Sequence, residues 1–366
     1  MKKKTVMIAG GGTGGHIYPA IAIARALLAK DPSLDIQFVG CPGGFETKII
    51  PKEGFALHLI RVGKLNQTGG VFGKLKTLLG IPVALLQSAA ILFELKPQLV
   101  LGVGGYASGP FVLMSSLLGF QTTIWEPNAH PGLTNRWLSY FVRRSLVVFL
   151  EAGKMLKSKQ IIQMGIPVRK EVEEMKTTLH NDGKFHLLIF GGSQGARAIN
   201  KVVHETIIKY ASELADVEVV HQTGPHDISE IQKAYEKIPQ FQLKVQAYEY
   251  LYGMEKHYEW ADLVICRSGA STVAELAACA RPAILIPLPT AADNHQLKNA
   301  QSLVDQQAGI LLEQKDLTPE NLFQKILSLK NDKKTREEMK INLKKFYQPK
   351  AADRIADYLL SVGETV

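Results

Sequence analysis

Cysteine is scarce in this 366-residue sequence, which contains three, at Cys41, Cys266 and Cys279. Their odd number and wide spacing argue against a disulfide framework and give no metal-ligand pattern, so we expect reduced, mostly buried thiols. A secretory signal is also missing, because the apolar run after the basic residues 2–4 is too short before the glycines begin. These absences lead us to expect a cytoplasmic protein.

Long hydrophobic runs are few. One uncharged segment, residues 77–93, lies between lysines, falls just short of the about 20 residues that span a bilayer, and is interrupted by Gly80 and Pro82. Two interpretations stay open. The segment is either a loop followed by a buried core helix, or an exposed apolar patch ringed by lysines that docks on anionic lipid. Both can hold for different faces of one helix.

Positive charge is concentrated in the first half of the chain. Residues 1–163 contain 18 Lys and Arg against 7 Asp and Glu, whereas the remainder contains 25 against 27. This asymmetry predicts an anionic partner for the first half only. No nucleic-acid recognition motif accompanies the basic residues, so the sequence favours an anionic membrane surface over nucleic acid.

Apolar β-rich runs alternate with helical stretches along the whole chain, which predicts parallel sheets in an α/β fold. The pattern restarts after a charged segment at 170–184, so we expect two doubly wound, Rossmann-like domains facing a cleft. We place the boundary near 164–169, giving domains at 1–163 and 164–340 and a C-terminal helical segment, 341–366, that packs back on the first domain. The predicted strands are 5–9, 36–39, 99–103, 122–125, 145–149, 185–190, 217–222, 243–246, 263–265 and 283–286.

Three glycine-rich loops follow predicted strands and precede predicted helices, at 10–16, 102–110 and 191–197. Such loops bring backbone N–H groups to a helix start, where they attract phosphate. The first loop also fits the dinucleotide fingerprint, so an NAD-dependent oxidoreductase is an alternative. That reading expects an acidic residue at the end of the second strand, but the sequence there is FVGCP, without a carboxylate. No loop is followed by a Walker lysine, which disfavours a P-loop ATPase or kinase.

Four motifs together carry a specific resemblance. GGTGGH at 11–16, GVGGY at 102–106, GGSQGAR at 191–197 and CRSGASTVAE at 266–275 resemble the MurG family, the undecaprenyl-diphospho-muramoylpentapeptide β-N-acetylglucosaminyltransferases of peptidoglycan synthesis. The resemblance runs from near residue 5 to at least residue 300. It implies a GT-B fold, UDP-GlcNAc as donor and the lipid-linked MurNAc-pentapeptide (lipid I) as acceptor. It also implies inversion at the anomeric carbon and a peripheral position on the cytoplasmic face of the bacterial inner membrane, in a possible cell-wall synthesis complex.

In the first half, His16 stands at a predicted helix start, which favours the neutral imidazole, so it is a candidate general base; a capping or packing histidine is the alternative. The resemblance implies donor contacts from Thr13, Gly14 and Gly15. Acceptor contacts are implied for Gly104, Gly105 and Tyr106. Glu126 and Asn128 are implied as catalytic, with Asn128 also contacting the donor, although Glu126 could equally be a structural carboxylate and Pro127 departs from the Glu-Gln-Asn common in the family.

In the second half, the resemblance places Arg169, Ser193 and Gln194 at the donor diphosphate. It implies that Glu275 accepts the two ribose hydroxyls and that Gln296 binds the sugar, beside His295, where a glutamine is common. No Asp-x-Asp pair occurs, so we predict no metal held by the protein and no cofactor; glycine-loop dipoles and Arg169 would stabilise the leaving UDP.

Two further alternatives to this function stay open beside the oxidoreductase. The first is another enzyme with the same GT-B fold, such as a diacylglycerol glycosyltransferase or a UDP-GlcNAc 2-epimerase, which tests with different acceptors would distinguish. A non-catalytic UDP-sugar-binding scaffold would bind donor without turnover.

Overall fold

The computed structural model describes residues 4–12, 14–62, 70–175, 182–192, 194–239 and 243–363, with the backbone alone for 70–79. The chain divides into two compact units. Unit 1 comprises residues 1–167 and 350–366, and unit 2 comprises residues 168–349. The first division follows Pro167, where the predicted boundary followed residue 163, and the second precedes Lys350, where the predicted segment began at residue 341.

Unit 1 is a doubly wound layer of helices around one sheet. Its strands are β1 (Thr5–Gly10), β2 (Asp35–Gly40), β3 (Ala56–Leu59), β4 (Leu99–Gly104), β5 (Thr122–Glu126), β6 (Arg144–Val147) and β7 (Gln160–Gln163). Its helices are α1 (Gly14–Lys30), α2 (Glu46–Lys52), α3 (Gly70–Leu95), α4 (Ser108–Leu117), α5 (Leu133–Leu138), α6 (Leu150–Gly153) and α15 (Ala351–Gly363).

The strands of unit 1 are all parallel, in the order β3-β2-β1-β4-β5-β6-β7. Met7, Val100 and Ile124 from the central strands pack against Phe111 and Val112 of α4. Strands covered on both faces read as continuous apolar runs, which is why the sequence marked them clearly. The C-terminal α15 packs on α1, where Lys30 Nζ lies 2.7 Å from Asp357 Oδ1.

Unit 2 repeats this architecture. Its strands are β8 (Phe185–Phe190), β9 (Val217–Gln222), β10 (Lys244–Tyr248), β11 (Leu263–Cys266), β12 (Ala283–Leu285) and β13 (Ile310–Leu311). Its helices are α7 (Lys170–Glu173), α8 (Arg197–Lys209), α9 (Ile228–Tyr235), α10 (Met254–Trp260), α11 (Ala270–Cys279), α12 (His295–Val304), α13 (Pro319–Asn331) and α14 (Lys333–Lys344).

The sheet of unit 2 is parallel, in the order β10-β9-β8-β11-β12-β13. Leu187 and Ile189 of β8 pack with Ile199 and Val203 of α8 in its core. Two parallel sheets with interleaved helices therefore form two Rossmann-like domains, which confirms the predicted fold class.

All ten predicted strands are present, but β3, β7 and β13 were not predicted. Each forms an edge of its sheet, and none of its residues is fully buried. Polar residues interrupt β3 and β7, and β13 has only two residues, so none of the three gives a recognisable apolar run.

The uncharged segment 77–93 is not interrupted as predicted. It lies within one helix, α3, which continues through Gly80 and Pro82. Ala84, Ser88 and Leu92 form a buried stripe at four-residue spacing, whereas Leu86 and Phe93 are 70% and 61% exposed. One face of the helix is therefore buried, as the core-helix interpretation expected, although no loop precedes it at Gly80 or Pro82. Docking of the exposed apolar face on anionic lipid stays a prediction. Within the described ranges, no helix combines the length and apolar composition needed to cross a bilayer.

Candidate functional site

The strand order of unit 2 reverses at β8, which has β9 on one side and β11 on the other. In open parallel sheets, ligands bind beyond the carboxyl ends of the strands at such a switch point. The third glycine loop follows β8, and Glu275 lies on α11 directly after β11. Gln296 follows the next strand, β12. Three sequence-predicted segments therefore meet at one edge of this sheet.

Glu275 is the centre of a charged cluster at this edge. Arg169 donates to both carboxylate oxygens, with Nε 2.8 Å from Oε1 and Nη2 2.9 Å from Oε2. The hydroxyl of Tyr258 donates to Oε2 at 2.9 Å. Burial raises the pKa of Tyr258 well above its ordinary value, so this group is a neutral O–H donor. Burial alone would lower the pKa of Arg169, but its bonds to Glu275 raise it.

The third glycine loop is tied to the end of the neighbouring strand β9. A Cβ on Gly195, which has φ of +73°, would overlap the carbonyl of Thr223. Gln222 Nε2 donates to the carbonyl of Gly192 at 2.9 Å. Gln194 is exposed at the tip of the loop. Ser193, predicted to contact the diphosphate, lies outside the described residues.

A buried network supports this loop and was not indicated by the sequence. His221 lies between Tyr235 Oη, 2.9 Å from Nδ1, and Asn200 Oδ1, 3.2 Å from Nε2. Asn200 Nδ2 then donates to the carbonyl of Thr223 at 2.7 Å. Burial lowers the pKa of His221 to about 3, so the ring is neutral. Because an amide oxygen only accepts, Nε2 carries the proton and Nδ1 accepts from Tyr235.

Gln296 follows a tight turn in the chain. Asp293 and Asn294 have φ of 51° and 53°, and His295 Nδ1 lies 2.7 Å from the carbonyl of Ala292. Gln296 Oε1 accepts from the backbone N–H of Leu288 at 3.0 Å. With its oxygen held, the side chain can offer its Nε2 donors to a ligand.

In unit 1, the strand order reverses at β1, and the first two glycine loops meet there. The N–H of Gly11 donates to the carbonyl of Gly104 at 3.3 Å, and a Cβ on Gly105 would overlap the backbone of Gly11. The imidazole of His16, in the first turn of α1, packs against Gly104, where an added Cβ would lie 3.0 Å from Cε1. Tyr106 follows and is half-buried. Gly14 and Gly15 open α1, whereas Thr13 lies outside the described residues.

Glu126 is a buried carboxylate at the end of β5, with 2% of its surface exposed. It accepts hydrogen bonds from the backbone and side-chain nitrogens of Asn128 at 2.9 and 3.1 Å. It also accepts from Gly132 N at 3.0 Å and Asn135 Nδ2 at 2.9 Å. Burial raises the pKa of Glu126, while these four donors lower it. The bonds favour the structural role for Glu126, which would hold the loop from 126 to 135; catalysis by Glu126 and Asn128 stays a prediction.

Glu46 is a second buried carboxylate, which the sequence reasoning did not single out. Its oxygens accept from the backbone N–H of Gly12 at 2.9 Å and of Cys41 at 3.0 Å. The second strand therefore does bring a carboxylate to the first glycine loop, six residues beyond its end. In the sequence, this role of Glu46 was indicated only by its position as an acidic residue close to the glycines that follow β2. In the part of the chain that is described, no group of three or more His, Cys, Asp or Glu side chains could hold a metal ion.

Comparisons with known proteins cover almost the whole chain. Residues 6–147 match the glycosyltransferase family 28 N-terminal domain, and residues 186–355 match the glycosyltransferase family 28 C-terminal domain. A UDP-N-acetylglucosamine–N-acetylmuramyl-(pentapeptide) pyrophosphoryl-undecaprenol N-acetylglucosamine transferase from Bdellovibrio bacteriovorus is 52% identical over 358 residues. The match covers 98% of this chain and 99% of that protein.

Solved structures give the same result. The crystal structure of MurG from Acinetobacter baumannii matches with a TM-score of 0.82 and 29% identity, covering 98% of this chain and 99% of that one. A UDP-N-acetylglucosamine 2-epimerase matches with a TM-score of 0.65 at 15% identity, covering 98% and 96%. The second likeness concerns the fold alone.

Proposed function

The chain belongs to glycosyltransferase family 28 and, within it, to the MurG family, and from this premise we propose that it transfers N-acetylglucosamine from UDP-GlcNAc to lipid-linked MurNAc-pentapeptide. The observation that carries the proposal is the full-length relationship to a transferase of this specificity, at 52% identity. Both family domains are present in order, the first within unit 1 and the second almost wholly within unit 2.

The donor binds to unit 2 at the carboxyl edge of β8 and β11. The third glycine loop offers backbone N–H groups and Gln194 to the diphosphate at the start of α8. Glu275 offers a carboxylate that can accept two neighbouring ribose hydroxyls. Gln296 donates to the sugar through Nε2. Fixed dipoles with the charge of Arg169 stabilise the leaving UDP without a metal held by side chains.

Arg169 and Glu275 exchange partners when the nucleotide binds. The carboxylate already accepts three hydrogen bonds, two from Arg169 and one from Tyr258. Two ribose hydroxyls need acceptor positions that Arg169 occupies, so the guanidinium must release at least one of them. The arginine side chain is 47% exposed, so it has room to turn toward the diphosphate. Tyr258, fully buried, keeps the carboxylate in place during the exchange.

The transfer is a single in-line displacement. The 4-hydroxyl of the acceptor MurNAc forms a bond to the anomeric carbon as the bond from that carbon to the UDP oxygen breaks. The configuration inverts from α to β. His16 of unit 1 accepts the hydroxyl proton, and Gly104, Gly105 and Tyr106 contact the acceptor.

Unit 1 docks on an anionic membrane surface, at the cytoplasmic face of the inner membrane. Helix α4 packs against both α3 and α5, and this group of helices exposes large apolar side chains. They are Val83, Leu86 and Phe93 on α3, Leu117 and Leu118 at the end of α4, and Leu133, Trp137, Tyr140 and Phe141 on and after α5. Trp137 and Tyr140 are 65% and 66% exposed and have the amphipathic rings that favour a membrane interface. We call this surface the α3–α5 patch.

Acceptor-dependent release of UDP tests this function. Purified protein is mixed with UDP-GlcNAc and a short-chain lipid-linked MurNAc-pentapeptide, with diacylglycerol or no acceptor as parallel reactions. The proposal requires UDP release that depends on the MurNAc acceptor. Release with diacylglycerol instead would assign another acceptor, and formation of the 2-epimer without acceptor would assign an epimerase. Donor binding with no reaction in any mixture would make the protein a scaffold.

A further inference from the structure

The Glu46 carboxylate lies inside the first glycine loop of unit 1. Glu46 is the first residue of α2, and 2% of its surface is exposed. Oε2 accepts from Gly12 N at 2.9 Å, and Oε1 accepts from Cys41 N at 3.0 Å. The carboxylate thus joins the end of β2 to the loop that leads from β1 into α1.

The surrounding backbone is shaped around this group. A Cβ on Gly11 would overlap the carboxylate from one side, and a Cβ on Gly44 would overlap it from another. A third glycine, Gly40, leaves space for the Cγ of the same side chain. Three glycines, from the first glycine loop, the end of β2 and the turn after it, therefore leave room for this side chain where a Cβ at any of them would overlap it.

A glycine loop before a helix commonly holds a phosphate with its N–H groups. Here the Glu46 carboxylate accepts the hydrogen bond from the Gly12 N–H. A ligand phosphate at the same place would lie beside the carboxylate, and the two negative charges would repel each other. The first glycine loop thus contains a built-in anion in place of a ligand phosphate at this N–H.

The same contacts connect Glu46 to His16. Gly12, which donates to the carboxylate, lies two residues before the start of α1 in the chain, and His16 lies in the first turn of that helix. Gly11 also donates to the carbonyl of Gly104, and the imidazole packs on Gly104. A shift of the first loop would therefore move both the backbone that carries His16 and the surface on which its ring rests.

We propose that Glu46 is a positioning residue for the sugar transfer: its buried carboxylate, held by the N–H groups of Gly12 and Cys41, fixes the first glycine loop and through it the imidazole of His16. This inference rests on the proposed function, in which His16 accepts the proton. Glu46 does not touch the substrates, and it contributes by keeping the base in its reactive geometry.

The test compares Glu46→Ala and Glu46→Gln with Glu53→Gln, a control directly after the C-terminal end of the same helix, where Glu53 pairs with Arg25. A misplacement of about 1 Å can lower turnover about 100-fold. We expect kcat of Glu46→Ala to fall by about this factor, with UDP affinity in unit 2 unchanged. Formate should restore part of the rate to Glu46→Ala, because it can fill the emptied cavity. It should not help Glu46→Gln, whose side chain still occupies the site.

A second readout needs no turnover. In protein labelled with ¹³C at histidine Cε1, the His16 signal and its titration should change in Glu46→Gln and stay unchanged in Glu53→Gln. Wild-type kcat in both Glu46 variants, or an unaltered His16 signal in Glu46→Gln, would overturn the inference. If Glu46→Ala does not fold, Glu46→Gln decides by the same two readouts. A wild-type protein that does not transfer GlcNAc would refute the proposed function instead, while the His16 signal still tests the positioning.

Discussion

Replacing Glu275 by glutamine separates the contacts that the structure shows for this side chain from the ribose binding proposed for it. In the free protein the carboxylate pairs with Arg169 and accepts from Tyr258; in the proposed donor complex it accepts the ribose hydroxyls. Glutamine keeps the size of the side chain and one acceptor oxygen, so the bond from Tyr258 can persist. It loses the charge and one acceptor position.

The two roles predict effects of different size. Arg169 is 47% exposed, and partly exposed ion pairs contribute about 0–1 kcal/mol, so the free energy of unfolding should fall by less than about 1 kcal/mol. A hydrogen bond to a charged group contributes about 1.5–3 kcal/mol, so losing one ribose contact should raise the Kd for UDP by roughly 10- to 150-fold.

Calorimetric titration with UDP measures the Kd, and denaturant unfolding of the same samples measures the free energy of unfolding. Glu320→Gln is a matched control, because Glu320 is an exposed carboxylate on α13 that pairs with Lys209 away from the switch point. Unchanged UDP affinity in Glu275→Gln would remove Glu275 from ribose binding. A stability loss of several kcal/mol would show that the carboxylate serves mainly to hold unit 2 together.

Three other predictions concern both units. His16→Ala should lower kcat by about 10²- to 10⁴-fold without changing UDP affinity, and near-normal turnover would remove His16 from the mechanism. Replacing Trp137 and Tyr140 by serine should reduce co-sedimentation with anionic vesicles by tenfold or more, given about 1.5–3 kcal/mol per buried aromatic side chain; undiminished binding would exclude the α3–α5 patch. Burial lowers the pKa of His221 to about 3, below the value of about 6.5 for an unfolded chain, so its neutral form stabilises unit 2 above about pH 6.5 and this contribution is lost as pH falls toward 3. Denaturant unfolding of His221→Gln should therefore show a weaker loss of stability between pH 7 and pH 4.5 than wild type, and equal slopes would contradict a neutral buried ring.

The sequence was sufficient to predict strands that consist of continuous apolar residues. It was not sufficient for elements whose position depends on tertiary packing. Central strands such as β8 and β9 were placed at their observed bounds, because buried parallel strands are apolar throughout. The edge strands β3 and β7 were missed because polar residues interrupt them, and β13 was missed because it has only two residues. Pro82 was read as a helix breaker, yet α3 continues through it.

Candidate site residues show the same division. The motifs brought Arg169 and Glu275 separately to one ligand, but their mutual ion pair joins residues 106 positions apart and needs the folded sheet to become visible. Glu46 and Tyr258 were missed for the same reason. A single acidic residue near glycines and a single tyrosine on a short helix have no distinguishing pattern until their partners surround them.

The most direct test of the account is the structure of the reaction product. Protein, UDP-GlcNAc and a short-chain lipid-linked MurNAc-pentapeptide are incubated, and the product is isolated for mass spectrometry and for proton NMR of the new linkage. The account predicts one added GlcNAc, joined in the β configuration to the 4-hydroxyl of MurNAc. An α linkage would contradict the single displacement, and an acceptor recovered without added sugar would contradict the transfer itself.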